Sequence, residues 1–222
     1  MPFTLRRTDG ATLVAGKIVA IGKNYAAHAR EMGGEAPAEP MWFLKPRSAL
    51  VHSGGAVEIP PGIGSVHHEV ELAAIVGRDV PRGSDAGTAL AALWGYALFL
   101  DMTARDLQAA AKKAGNPWSL SKGIDTFAPI GEAVPPGAID PGSLDLTLAV
   151  NGAVRQRGNT RDMAHPVGAL LASVLRHVTL EAGDILATGT PEGVGPVSPG
   201  DRLEARAPGL PPLDARVVAR AA

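Results

Sequence analysis

The sequence contains no cysteine, which excludes disulfide bonds, thiolate nucleophiles and zinc sites built from thiolates. It also lacks a dominant charge, because 21 basic side chains stand against 22 acidic ones and no basic block gathers them. A nucleic-acid partner is therefore not expected. No apolar run reaches the roughly 18 residues of a membrane helix, and residues 1–22 lack a signal-peptide pattern. We expect a cytoplasmic protein without a membrane partner.

Glycine and proline are abundant instead, with 27 Gly and 19 Pro. They are spread along the chain and not gathered in a repeat, which is typical of turns between many short strands. The length of 222 residues fits one domain with a substantial core. We therefore predict a β-rich α+β fold.

Apolar patterning places the main elements. Predicted strands cover residues 17–22, 67–77 and 94–101, and predicted helices cover 24–34, 85–93, 103–114 and 166–180. Asn151 and Gly152 between two strand-like runs predict a two-residue hairpin turn. No GxGxxG motif opens a helix, so a Rossmann dinucleotide site is not predicted.

Two glutamates stand at the head of the apolar segment 70–76. Side chains two apart on a strand share a face, so Glu69 and Glu71 should point the same way. Asp101 ends another apolar run, LWGYALFL. Three carboxylates delivered by strand ends suit a hard cation such as Mg²⁺ or Mn²⁺, which would relieve their mutual repulsion. From the pattern alone, acids facing solvent on a half-exposed strand are the alternative.

Other segments carry candidate catalytic groups. His28 and Glu31 are three residues apart on a predicted helix, so they share a face and suit a general base with its orienting carboxylate. A surface salt bridge would have the same spacing. Lys122 lies among small and apolar residues, where a buried ammonium would stabilise an oxyanion; an exposed turn lysine is the alternative. The glycine-rich residues 188–196 predict a tight loop that brings backbone amides or the Thr190 hydroxyl near a ligand, although a purely structural turn would look the same.

Together and in this order, six motifs resemble the fumarylacetoacetate hydrolase family. They are IGKNYAAHAREM, FLKPRSAL, HHEVELAAIVGRD, GYALFLDMTARDLQ, PWSLSKGIDTFAPIG and GDILATGTPEGVG. The resemblance spans residues 17–205 and points to the short branch that includes acylpyruvases and oxaloacetate decarboxylases. It implies a single catalytic domain over residues 1–222, with 1–16 as a short N-terminal appendage. The implied fold is a mixed β-sandwich roll of the type of the family's C-terminal domain, and the implied assembly is a homodimer.

The resemblance also implies a metal site and a catalytic group. The implied ligands of Mg²⁺, or alternatively Mn²⁺ or Ca²⁺, are Glu69, Glu71 and Asp101. The implied catalytic residues are His28, Glu31 and Lys122. The His28–Glu31 dyad would belong to a lid, and residues 30–40 of that lid should be mobile until ligand binds.

The substrate implied by the resemblance is a small 2-oxo or 2,4-dioxo acid. The residues implied to hold its carboxylate and keto oxygens are Arg105, Gln108 and Thr190. A substrate with a second carboxylate would need further positive charge, and the candidates are Lys45 and Arg47.

The activity implied is divalent-metal-dependent hydrolysis of a carbon–carbon bond in 2,4-dioxo acids of the acylpyruvate or fumarylpyruvate type. Water activated by His28 and Glu31 would attack the distal carbonyl, and a pyruvate enolate stabilised by the metal and Lys122 would leave. Oxaloacetate decarboxylation and isomerisation or tautomerisation of a 2-oxo acid pass through the same enolate and are the alternative activities. An inactive metal-binding scaffold is a further alternative.

Overall fold

The computed structural model describes residues 2–31, 33–35 and 37–221. Within these residues strands outnumber α-helices seventeen to five, which confirms the β-rich α+β prediction. The helices are α1 Ala26–Glu31, α2 Ala86–Leu90, α3 Arg105–Ala114, α4 Ser119–Lys122 and α5 Val167–Leu175. The strands are β1 Thr4–Arg6, β2 Thr12–Val14, β3 Ile18–Gly22, β4 Met41–Lys45, β5 Leu50–His52, β6 Ala56–Ile59, β7 Val66–His68, β8 Val70–Val76, β9 Leu93–Leu100, β10 Thr103–Ala104, β11 Ala128–Ile130, β12 Asp145–Val150, β13 Ala153–Asn159, β14 Ile185–Ala187, β15 Gly195–Val197, β16 Arg202–Arg206 and β17 Leu213–Ala219.

Two large sheets pack against each other. The seven-stranded sheet has the order β4-β3-β14-β8-β9-β11-β5, and the five-stranded sheet has the order β13-β12-β16-β17-β6. Contacts of β8 with β12 and of β11 with β17 join them. A three-stranded sheet, β10-β7-β15, and the N-terminal hairpin β1-β2 complete the architecture. None of the described helices is long and apolar enough to cross a membrane.

Strand β8 is buried along its whole length, because both faces of the seven-stranded sheet are covered. Leu72 and Ala74 belong to the core shared with the five-stranded sheet, whereas Ala73 and Ile75 pack in a second core on the other face. Burial on both faces explains the uninterrupted apolar run in the sequence. Any charged side chain at the head of this strand must therefore be compensated by protein groups or a bound ion.

The hairpin turn forms where the Asn-Gly pair predicts it, between β12 and β13. Asn151 has a φ of 53° and Gly152 a φ of 79°. Positive φ at both central positions is the type I′ geometry, whose twist matches that of the two strands. Local sequence was sufficient here because the turn depends on only two residues.

The single strand predicted over residues 67–77 is wrong, because β7 ends at His68 and β8 begins at Val70. Strand β7 pairs with β10 and β15, whereas β8 pairs with β9 and β14, so the chain changes sheets at Glu69. The Val70 N–H donates instead to the Gln156 side chain, with 3.1 Å between N and Oε1. The Glu69 carboxylate nevertheless remains close to that of Glu71.

Candidate active site

Three carboxylates converge at one end of β8 and β9. These strands are antiparallel, with Val70 opposite Leu100. Continuing that register by one residue places Asp101 opposite Glu69, and the Asp101 N–H donates to the Glu69 carbonyl at 2.9 Å. The candidate ligand oxygens of Glu69, Glu71 and Asp101 all lie within 4.8 Å of one another, and all three residues are buried.

Two buried lysines bind this carboxylate triad from other elements. Lys122, the last residue of α4, donates to Glu69 Oε2 at 2.8 Å and to Asp101 Oδ2 at 2.6 Å. Lys45, the last residue of β4, donates to Asp101 Oδ1 at 2.5 Å. Burial by itself would lower the pKa of Lys122, yet Asp101 and Glu69 outweigh it and raise that pKa. The Lys122 ammonium is therefore a stable positive charge inside the protein.

Positive charge is distributed unevenly over the triad. Arg105 Nη2 lies 2.5 Å from Glu69 Oε1. Burial would raise the pKa of Glu69, but Lys122 and Arg105 outweigh it and hold the pKa below its usual range. Burial, together with Asp101 and Glu69, raises the pKa of Glu71 well above its usual range. Among the described residues, no cationic side chain pairs with Glu71.

The triad fits a divalent cation in charge and in spacing. Mg²⁺ and Mn²⁺ prefer oxygen ligands, and Mg²⁺–oxygen distances of about 2.0–2.1 Å put opposite ligands about 4.2 Å apart. Oxygens already within 4.8 Å of one another need only a small contraction to reach that geometry. A cation beside Glu71 would supply the charge that this carboxylate lacks.

The dyad predicted from spacing is in contact, with His28 Nδ1 3.2 Å from Glu31 Oε2. His28 is buried, and the Glu31 carboxylate also accepts a hydrogen bond from the Gly193 N–H at 3.1 Å. Helix α1 is thereby joined to the glycine-rich loop 188–196. His28 lines the same cavity as Glu69 and Glu71. An imidazole able to exchange a proton therefore opens onto the carboxylate triad.

The glycine-rich loop supports the triad through its backbone. The Gly189 N–H donates to Glu71 Oε2 at 2.8 Å. Gly189 has a φ of 94°, and a Cβ there would lie 2.8 Å from the Cβ of Asn24. Asn24 is itself buried and donates to the carbonyls of His165 and Thr188. Only glycine therefore allows the loop to approach Glu71 so closely.

The Thr190 hydroxyl is bound into a buried network that sequence analysis missed. It donates to the Val70 carbonyl at 2.8 Å and accepts from Gln156 Nε2 at 2.8 Å. Gln156 Oε1 in turn accepts from Val70 N–H and lies 2.9 Å from His68 Nδ1. Because its proton is committed to Val70, the Thr190 hydroxyl offers a substrate an acceptor and not a donor.

The remaining predicted substrate residues lie together beside the triad. Arg105 Nη1 donates to Gln108 Oε1 at 2.7 Å, which leaves the Gln108 amide NH₂ group to donate to a ligand. Both residues line a cavity of about 30 Å³, which has room for an ion or a water molecule. Its lining residues are Ile21, Gly22, Lys23, His28, Phe43, Glu69, Glu71, Arg105, Gln108, Lys112, Trp118, Lys122 and Thr190.

The two residues suggested for a second substrate carboxylate are misassigned. Lys45 is buried against Asp101, and Arg47 lies at a separate surface groove where it donates to the Ala15 carbonyl. Lys45 could have been predicted from sequence as a site residue, because Lys45, like Asp101, ends an apolar strand-like run. Two other lysines, Lys23 and Lys112, line the site cavity instead.

The predicted lid, residues 30–40, is described only in part, because Met32 and Ala36 lie outside the described residues. Other residues of the segment contact the body of the protein. His165 Nε2 lies 3.3 Å from the Pro37 carbonyl, and Arg176 pairs with Glu39 at 3.3 Å. The predicted mobility of the lid stays a prediction.

Comparisons with known proteins identify the family of the chain. Residues 17–218 match the family model described as fumarylacetoacetate (FAA) hydrolase C-terminal. The mitochondrial oxaloacetate tautomerase FAHD1 of Arabidopsis thaliana is 49% identical over 198 residues, covering 87% of this chain and 87% of that protein. The mitochondrial oxaloacetate decarboxylase of Dictyostelium discoideum is 45% identical over 196 residues, covering 87% and 89%.

Solved structures show the same fold. A fumarylpyruvate hydrolase from Pseudomonas aeruginosa, in complex with Mn²⁺ and pyruvate, matches with a TM-score of 0.92 at 36% identity. The match covers 99% of this chain and 97% of the hydrolase. The chain belongs to the fumarylacetoacetate hydrolase family, as its motifs predicted.

Proposed function

We propose that this protein is a divalent-metal-dependent tautomerase that interconverts the enol and keto forms of oxaloacetate. The observation that carries the proposal is that His28 opens onto the same small cavity as Lys122 and Arg105. Moving a proton between a carbon and an oxygen of a 2-oxo acid needs a base near the carbon and positive charge near the oxygen. Relatives 45% and 49% identical are named for reactions of oxaloacetate, which supports this substrate.

The predicted residues other than Thr190 each have a part in this reaction. Arg105 and the amide NH₂ of Gln108 bind the substrate carboxylate. His28, oriented by Glu31, takes or returns the proton at the carbon, the Lys122 ammonium stabilises the negative oxygen, and that oxygen exchanges its own proton with water. A cation held by the carboxylate triad, when bound, supplies Lewis-acid polarisation of the keto oxygen.

Hydrolysis of an acylpyruvate is the second candidate function. It is favoured by the close structural match to a fumarylpyruvate hydrolase and by the dyad, which would also activate a water molecule. It differs from tautomerisation in needing room for a water molecule and an acyl group beside the dyad. The cavity of about 30 Å³ must open further for that reaction than for a four-carbon acid.

A direct comparison of substrates tests the proposal. The protein is loaded with Mg²⁺, Mn²⁺ or Ca²⁺, and decay of enol oxaloacetate absorbance is measured beside release of CO₂. Pyruvate release from acetylpyruvate and fumarylpyruvate is measured in the same preparations. We expect enol decay to be accelerated most, relative to metal alone. Enol decay no faster than with metal alone would refute the proposal, and efficient acylpyruvate cleavage would then support the second candidate.

Replacing His28 should separate reactions that need a base from one that does not. In His28→Ala, tautomerisation and any acylpyruvate hydrolysis should fall by about 10²–10⁴-fold, the usual contribution of a general base. Any oxaloacetate decarboxylation should fall far less, since loss of CO₂ needs no activated water. The exposed His177 provides the control, and His177→Ala should leave all rates unchanged. Equal losses in all three reactions would contradict the role given to the dyad.

We also propose the assembly, the metal and the location of the protein. We propose a homodimer, because Leu44 and Leu120 are 48% and 70% exposed, and large apolar side chains of this kind favour association. Sedimentation equilibrium should give twice the chain mass of 22.7 kDa, and a monomer would contradict it. Mg²⁺ is the proposed physiological ion, and the cytoplasm the proposed location.

A further inference from the structure

Two lysines at the cavity carry positive charge that the reaction described above does not use. Lys23 and Lys112 both line the cavity, yet neither forms an ion pair with any described residue. Lys112 projects from α3, and its Nζ lies 5.0 Å from the centre of the Trp118 ring. Lys23 follows β3 and reaches towards Gly34, where a Cβ would lie 3.1 Å from its Nζ. The two lysines thus line one cavity although they lie far apart in the sequence.

Lys23 is half-buried, whereas Lys112 is exposed where it lines the cavity. Lys23 has a φ of 58°, a left-handed conformation that is uncommon for residues other than glycine. Burial, together with Arg105 and Lys23, lowers the pKa of Lys112. Two cationic side chains that line one cavity without a carboxylate partner among the described residues indicate that an anion is expected there.

The charges around the cavity leave two lysines without an anionic partner when a metal and a 2-oxo acid are bound. The buried cluster as a whole holds three carboxylates and three cationic side chains, Lys45, Lys122 and Arg105, although none of the three pairs with Glu71. A divalent cation adds two positive charges, which the first carboxylate and the enolate oxygen of a 2-oxo acid balance. Lys23 and Lys112 lie outside this balance, and a second carboxylate on the substrate would pair with them.

We propose that Lys23 and Lys112 form the subsite for the distal carboxylate of the substrate and select 2-oxo dicarboxylates over 2-oxo monocarboxylates. The inference rests on the proposed function, since it takes the cavity as the site of a 2-oxo acid. It gives the role first assigned to Lys45 and Arg47 to two residues that are open to the cavity.

The kinetic test compares oxaloacetate with its 4-methyl ester, in which the distal group is neutral. In Lys23→Met and Lys112→Met, kcat/KM for oxaloacetate should fall about tenfold each, as expected for loss of one hydrogen bond to a charged group. The fall should lie in KM, because the distal carboxylate is bound equally in ground and transition states. Rates on the ester should stay unchanged. Equal losses on both substrates, or none on oxaloacetate, would overturn the proposal.

Lys113 provides a matched control. It neighbours Lys112 on α3, carries the same charge, is exposed and does not line the cavity. Lys113→Met should therefore leave kcat/KM for both substrates unchanged. A loss in this variant equal to that in Lys112→Met would assign the effect to overall charge and overturn the subsite.

Binding measurements keep the subsite testable if oxaloacetate is not turned over. Calorimetry with the Mg²⁺-loaded protein compares 3,3-difluorooxaloacetate, which cannot enolise, with oxalate, which lacks the distal arm. The lysine variants should bind the difluoro acid about tenfold more weakly and oxalate as before. Unchanged affinity for the difluoro acid, or no binding of it to the unsubstituted protein, would overturn the subsite. If the lysine variants weaken binding of the difluoro acid but not of oxalate, while oxaloacetate is not turned over, the tautomerase proposal fails and the subsite stands.

Discussion

Glu71→Gln should abolish turnover while leaving the metal-free protein at least as stable as before. Glu71 is buried, and among the described residues it has no cationic partner, so its charge is compensated only when a cation binds. The amide keeps the shape and can still accept from the Gly189 N–H, but it is a poorer ligand. Loss of several kcal/mol of transition-state stabilisation corresponds to a fall in kcat of about 10³-fold or more.

Asp101→Asn provides a contrast that separates metal binding from folding. Asp101 binds both Lys45 and Lys122, so its replacement leaves the buried Lys45 ammonium without a carboxylate and Lys122 with Glu69 alone. Stability should fall by about 3–5 kcal/mol, the usual cost of breaking a buried pair, in addition to the loss of turnover. Glu132→Gln, at an exposed acid away from the site, is the control, and it should change neither turnover nor stability.

Calorimetric titration with Mn²⁺ and thermal unfolding of the metal-free proteins measure these effects. Weakened Mn²⁺ binding in Glu71→Gln with an unchanged or higher Tm is the expected result. Normal Mn²⁺ affinity in that variant would remove Glu71 from the ligand set. A marked drop in Tm would show that its carboxylate is compensated without a metal.

Lys122→Met should lower kcat by about 10²–10³-fold, the usual effect of removing one group that stabilises an oxyanion. Its Nζ lies between Glu69 and Asp101 and also 5.0 Å from the centre of the Phe43 ring, so solvent cannot replace the lost charge. Methionine is of similar length and apolar, but it offers no proton donor. Stability should fall by about 3 kcal/mol, because two buried carboxylates lose a shared partner.

Metal affinity distinguishes this variant from the ligand variants. Removing a positive charge beside the triad reduces repulsion of a cation, so Lys122→Met should bind Mn²⁺ as tightly as before or more tightly. Its defect should therefore appear in kcat at saturating metal. Loss of Mn²⁺ binding would mean that Lys122 positions the ligands, and a normal kcat would exclude it from the chemistry.

Local features of this protein followed from sequence because they depend on neighbours along the chain. The Asn151-Gly152 turn needs two residues that tolerate positive φ. The His28–Glu31 contact needs only three residues of helix spacing. The family motifs predicted the fold and named the candidate site residues, because they combine many such local requirements in one order.

The charge balance of the site did not follow from sequence. The repulsion between Glu69 and Glu71 suggested a metal as the compensation, but Lys122 and Arg105 already pair with Glu69. These partners come from α4 and α3, which lie far along the chain from Glu69. Whether a lysine is solvated or buried depends on what packs over it, and its sequence neighbours do not specify that.

By itself, the sequence determined that Glu69 and Glu71 stand together at the head of a buried strand, because an apolar run and the spacing of two acids are local features. Only the tertiary structure decided that Asp101 stands opposite Glu69, since strand register depends on packing between β8 and β9. The same holds for Lys45, which reaches Asp101, and for Lys23 and Lys112, which meet at one cavity. Contacts between distant segments arise from the burial of whole sheets, so short-range patterns cannot specify them.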